Sequence, residues 1–251
     1  MNTSLTAVIV FGLLVGTVFL GMGLRRLLPE DHVSSDSRDV VKLAMGLVAT
    51  MSALVLGLLV SSAKGSYDTE RNEVIQMAGK VAFLDRLLAA YGPEAGEARA
   101  QLHNTVADAV QRMWPGEAGR PANLAPDTQL AKVTYGAIQH LAPNDDTQRS
   151  LKAQAATLAM DLGQVRSLLA AQSIASISKP MLIILVAWLA IIFLGFSVLA
   201  PPNATAILAL MVSTLAVSGA IFLILELDQP FGGLIQISSE PMRKALHEVA
   251  K

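Results

Sequence analysis

The chain has no cysteine among its 251 residues. Disulfides, thiolate-held metal clusters and thiol nucleophiles are therefore excluded, and the redox compartment leaves no mark on the sequence. Charge is scarce as well: Asp, Glu, Lys and Arg make up 16% of the residues, against about a quarter in an average soluble domain. With a formal net charge of -1, 5% aromatics and no basic tail, nothing points to a nucleic-acid partner. Histidine is limited to His32, His103, His140 and His247. No two of them have the i, i+3 or i, i+4 spacing of helix-borne ligands, so neither a metal site nor a cofactor is expected. A glycine-rich phosphate loop, a dinucleotide fingerprint and a serine nucleophile elbow are all missing. Without any catalytic constellation, an enzyme is not expected.

What is abundant is hydrocarbon. Hydrophobic residues reach 53% and the mean hydropathy is +0.50, which predicts membrane spans. Residues 6–24 form a near-continuous apolar run ending at Arg25-Arg26. A cleaved signal peptide would have a basic start, a shorter core and a small-residue cleavage site, so a retained first span is expected. Gly12 and Gly16 within it are either a packing groove or simply glycines that a membrane helix tolerates. Residues 43–63 lie uncharged between Lys42 and Lys64, and residues 180–225 carry no charge at all. The last run is too long for one crossing of a hydrocarbon core about 30 Å thick. Interrupted by Pro201-Pro202-Asn203, it reads as a helical hairpin.

The expected fold is therefore all-α: an integral membrane protein with four transmembrane helices and a helical bundle outside the membrane between the second and third. The division is 1–63 for a first hairpin with a polar link at 25–42, 64–179 for the bundle, 180–225 for the second hairpin, and 226–251 for a tail. Residues 64–179 hold twelve basic and twelve acidic side chains and no run long enough to span. Val74, Met77, Val81, Leu84, Leu88 and Tyr91 recur at 3,4,3,4,3, and only Gly65 interrupts the join to the second span. One continuous helix over about 43–91, on the order of 70 Å long, is predicted. Gly92-Pro93 ends it.

Three more amphipathic helices follow. Their seams are Leu102, Val106, Ala109 and Met113; Leu130, Val133, Ala137 and Leu141; and Leu151, Ala155, Leu158, Leu162, Val165 and Leu169. The last, capped by oxygens of Asn144 to Thr147, can run on toward the third span. Narrow seams of this kind describe an antiparallel bundle. In the tail, 234–238 is either extended or a single turn, and a terminal helix over 241–249 places Met242, Leu246 and Val249 on one side.

Two features stand out as candidates for function. Along the second span Gly46, Thr50, Ala53, Gly57 and Ser61 recur at 4, 3, 4 and 4, a stripe of small and hydroxyl side chains on one face. Close helix packing and the lining of a narrow polar path both account for it. The charged residues bordering the membrane, Lys64, Asp68, Glu70 and Arg71 after the second span and Glu226 and Asp228 at the end of the last, are either interfacial anchors or a charged mouth.

The order of segments, with Leu225-Glu226-Leu227-Asp228-Gln229-Pro230-Phe231-Gly232-Gly233 after the hairpin, resembles the bacterial bestrophin-like family. Residues 53–60 running into Tyr67-Asp68 and Arg71-Asn72-Glu73-Val74 resemble that family's junction between span and soluble helix. Glu226, Asp228, Gln229, Pro230, Phe231 and Gly232 are thus the family motif. The family is distantly similar to bestrophins, pentameric anion channels with four spans, cytoplasmic termini and an acidic calcium clasp after an Asn-Pro-Phe-Gly-type sequence. Gly233 and Leu234-Ile235-Gln236-Ile237 stand here where the acids would be, so no calcium site is expected. The resemblance also implies an apolar constriction on the second span, for which Val55, Leu56, Leu59 and Val60 are available.

Orientation by positive charge is divided. The 25–42 link has four basic residues and would lie in the cytoplasm, yet Lys179, Arg243 and Lys244 put the bundle and tail there instead. The resemblance favours the second arrangement, in a bacterial inner (cytoplasmic) membrane. The leading expectation is a homo-oligomeric ion channel, with inorganic ions and the lipid bilayer as its partners. The alternative is a membrane-anchored helical sensor or scaffold whose 64–179 bundle binds a partner.

Overall fold

Helix α2 runs unbroken from Ser35–Tyr91, because no proline and no left-handed residue occurs between the apolar span and the amphipathic stretch that follows it. The computed structural model describes residues 3–27, 35–116, 122–125, 128–172, 179–201 and 203–249. The other helices are α1 (Thr3–Leu27), α3 (Gly96–Met113), α4 (Thr128–His140), α5 (Asp146–Gln172), α6 (Lys179–Leu199), α7 (Ala204–Leu227) and α8 (Glu240–Val249). Among the described residues there is no strand, and the all-α expectation holds. Helix α2 begins earlier than the polar link allows: its first two turns, from Ser35, are helical rather than loop. Past Pro29 nothing in that stretch breaks a helix. The continuation of α5 toward α6 and the rest of the polar link lie outside the described residues.

The chain divides into two compact units, Met1–Ser66 with Ile177–Asp228, and Tyr67–Ser176 with Gln229–Lys251. In the first, four helices are long and apolar enough to cross a membrane. Helix α1 packs on α6 and α7. Leu5, Ile9, Phe19, Leu20, Leu208 and Leu215, among others, remain more than half exposed. An apolar surface on that scale belongs in hydrocarbon, where the helix backbone satisfies its own polar groups. The chain is an integral, multi-pass membrane protein.

Packing within this unit is closest at two glycines. A Cβ on Gly21 would lie 2.7 Å from the Leu194 carbonyl oxygen of α6 and 2.5 Å from Ser197 Oγ. A Cβ on Gly195 would collide with the Met45 thioether of α2. Around Gly12 and Gly16 nothing lies within 4 Å, so that pair is not a groove between described helices of this chain. The turn between α6 and α7 is closed by Asn203, whose Oδ1 accepts from the Ala206 amide at 2.8 Å, an N-cap of the usual kind.

The second unit has the core that the periodicity predicts. Val74, Met77, Val81, Leu84, Leu88 and Tyr91 are all buried, as are Leu102, Val106, Ala109 and Met113. Helix α5 contributes Ala155 and Leu169, flanked by partly buried Leu151, Leu158, Leu162 and Val165. Its N-terminus is held by Asp145 Oδ1, which accepts from the Gln148 amide at 2.6 Å. Gly92 at the end of α2 has φ 123 and ψ -176, a region open essentially to glycine alone.

Helix α4 departs from its predicted seam. Val133 is 47% exposed, while Thr134, Ile138 and Leu141 are buried. Thr134 can face inward because its hydroxyl is 2.7 Å from that of Thr105 on α3 and 3.3 Å from the Gln101 carbonyl. Another inward polar group is Asp85 of α2, 6% exposed. Arg99 of α3 grips it with two parallel hydrogen bonds of 2.7 and 3.0 Å. The same bonds hold the Arg99 guanidinium above its ordinary pKa.

Candidate pore-lining helix and C-terminal signature

The membrane part of α2 has three different faces. Met45, Ser52, Leu59 and Ala63 are at most 5% exposed and recur at 7, 7 and 4, one stripe turned into the chain. Gly46, Thr50, Ala53, Gly57 and Ser61 are all exposed, about 120° round the axis at 100° per residue. Nothing lies within 4 Å of a Cβ built on Gly46 or Gly57. The five residues therefore share one exposed face, at whose edge Ala53 borders a cavity beside α6 and α7. Thr50 returns its hydroxyl to its own helix, donating to the Leu47 carbonyl at 2.7 Å and the Gly46 carbonyl at 3.2 Å. Such a face offers small volume and hydroxyl oxygen lone pairs more than free donors. Leu43, Leu47, Met51, Leu54 and Leu58 form the third, exposed face.

Of the residues available for a constriction, Leu59 points into the chain, 4% exposed, and Val55, Leu56 and Val60 are half-buried. Leu54 and Leu58 are the exposed bulky side chains. Their phase relative to Met45 and Ser52 carries this distinction, and sequence alone does not say which stripe of an all-apolar helix turns inward.

Between α2, α6 and α7 lies a cavity of about 300 Å³, bordered by Ser52, Ala53, Phe193 and Leu210 among others. Ser52 Oγ donates to the Val48 carbonyl at 2.8 Å and Ser213 Oγ to that of Ala209 at 2.9 Å. The walls consequently present hydrocarbon.

The C-terminal signature serves two structural roles, one in each unit. In the membrane unit Glu226 is 2% exposed near the end of α7, so its carboxylate is enclosed rather than presented at an open mouth. Asp228 is half-buried. On the other side of the charged set, Glu70 is buried, Asp68 half-buried, and Lys64 and Arg71 exposed. In the second unit Gln229 turns the chain: its carbonyl accepts from the amides of Gly232 and Gly233 at 3.1 and 3.0 Å. Pro230 is buried and its carbonyl accepts from the Ile237 amide at 2.8 Å. Phe231, 5% exposed, meets the Trp114 ring edge-on at 5.7 Å, and Trp114 Nε1 donates to the Ile237 carbonyl at 2.8 Å. Gly232 is exposed.

Residues 234–238 thus form neither a strand nor a helical turn; Leu234 and Ile235 are exposed and Ile237 is buried. Helix α8 then packs on α3 through Met242, Ala245 and Val249. Trp114 is the residue that sequence reasoning missed, since it closes a helix 117 positions away from its partner ring and no local period links them. Among the described residues, no group of three or more His, Asp or Glu could hold a metal ion.

Four spans, one of them continuous with a soluble helix, and a Gln-Pro-Phe-Gly turn that anchors the tail on the soluble core define a bestrophin-type membrane protein. The chain belongs to the bestrophin-like family: the model of the Bestrophin-like domain matches residues 12–242. No curated protein matches it. The chain is similar to a crystal structure of a bacterial bestrophin homologue from Klebsiella pneumoniae in a mutant form, with TM-score 0.70 at 14% identity over 100% of this chain and 99% of that one. A second mutant form gives TM-score 0.68 at 13% identity over 98% of each chain. At such identity the likeness establishes the fold.

Proposed function

We propose that this protein is a homo-oligomeric ion channel of bestrophin type, with α2 lining the path for inorganic ions. It sits in the bacterial inner membrane with both termini and the Tyr67–Ser176 segment in the cytoplasm. The observation that carries this reading is the exposed face of α2. Gly46, Thr50, Ala53, Gly57 and Ser61 stay exposed while the opposing stripe is packed. Several copies placed round an axis bring that face, or the adjoining Leu47, Leu54 and Leu58, against a shared lumen, where small side chains leave width and bulky apolar ones narrow it. Family membership supports the same reading.

Purified full-length protein in vesicles should pass monovalent ions in a dye-based flux assay. Gly57→Trp, at a position where an added Cβ has no described neighbour within 4 Å, should lower that flux at least tenfold without unfolding the protein. A chain that runs as a monomer by native mass, or vesicles that pass no ion, would sink the proposal and leave the scaffold reading in its place.

A further inference from the structure

The apolar cavity between α2, α6 and α7 is not isolated. A second one, of about 340 Å³, shares Phe196 and Leu210 with it. It continues past Leu199, Ala200 and Ala206 to the end of the unit where α6 turns into α7, and there it is bordered by Lys42. Together they form a groove with a hydrocarbon body and a cation at its membrane-edge end. The Lys42 ammonium is exposed and paired with Asp39 of the preceding turn at 3.2 Å, a surface pair that a stronger anion displaces at little cost. Helix α1 finishes at the same end with Arg25 and Arg26, and Arg25 Nη1 is buried with no hydrogen-bond partner among the described residues.

We propose that this groove holds an acyl chain of an anionic phospholipid whose phosphate rests on Lys42. Charge complementarity selects this occupant. An apolar trough whose described hydroxyls, Ser52 and Ser213, are turned to their own backbone offers water nothing, and its basic rim matches an anionic head group at the interface. A neutral hydrocarbon would leave the lysine unused. An anion without a tail would leave the trough empty.

The test is native mass spectrometry of the full-length detergent-purified protein, mixed with equal amounts of dioleoylphosphatidylglycerol and dioleoylphosphatidylcholine. Wild type should retain phosphatidylglycerol about fivefold over phosphatidylcholine, the worth of one lysine near an anionic head group. Lys42→Arg should keep that preference and Lys42→Gln should bring it close to one. Ala209→Trp, filling the groove beside Leu210, should reduce adducts of both lipids. Equal retention by wild type overturns the proposal, and so does a preference unchanged in Lys42→Gln. Disruption of the oligomer by Ala209→Trp also overturns it, because a second copy would then occupy the groove.

Discussion

Gly12 and Gly21 lie in the same apolar helix, yet their surroundings differ. Gly12 has open space where a side chain would go, whereas Gly21 faces a backbone carbonyl of α6. A side-chain neighbour such as Met45 beside Gly195 can swing away, but the Leu194 carbonyl is fixed in its helix. Gly21→Val is therefore expected to force α1 and α6 apart at a cost of about 1–3 kcal/mol, as overpacking does. Gly12→Val should be close to neutral. Thermal unfolding of the two variants in detergent, followed by circular dichroism, should show a clear drop in midpoint for the first alone. Equal midpoints would mean that the α1–α6 contact at Gly21 is not formed. Which glycine is the tight one was not legible in the sequence, since Gly12-x-x-x-Gly16 pairs two glycines at packing spacing and Gly21 has only Thr17 at that distance.

At the scale of elements, most helices were legible because hydrophobic period is a local property. The seam from Val74 to Tyr91 and its merger with the second span follow from spacing and from the absence of breakers. Helix α4 was read about a third of a turn off, because Thr134 counts as polar until its partners Thr105 and Gln101 on another helix are known. Asp85 presents the same problem: within an apolar seam its carboxylate is tolerable only because Arg99 reaches it from α3. Asp85→Ala should leave that guanidinium half-enclosed without a partner and cost about 1–3 kcal/mol.

The sign of the pH dependence of this pair follows from Arg99. Its folded pKa is raised above the ordinary arginine value by the Asp85 hydrogen bonds, so its contribution is fully present below that ordinary value and is lost only as pH rises through the still higher folded one. Between pH 7 and 10 the Asp85→Ala penalty should hence stay constant, as denaturant midpoints of wild type and variant would report. A penalty that shrinks steadily across that window would contradict the pairing.

For the whole molecule, the number of spans turns the divided basic residues into a choice between two orientations. Four crossings put the link after α1 and the tail after α7 on opposite sides of the membrane, so only one of the two positive clusters can be cytoplasmic. The Arg25 to Lys42 link carries four basic residues and the opposite end carries Lys179 with Arg243 and Lys244, the last two on exposed positions of α8. The rule counts Lys and Arg alone, so the acids of the link do not discount it. The proposed orientation leaves the link outside, where Lys42 meets lipid rather than cytoplasm. The absence of cysteine makes this directly measurable. Ser34→Cys should react with a membrane-impermeant maleimide in spheroplasts, and Ser238→Cys, exposed after the Phe231 turn, only in inverted vesicles. The reverse pattern would turn the protein over while keeping its four spans. Labelling of both residues from one side would remove a span and with it the continuous passage of α2 from membrane to soluble core.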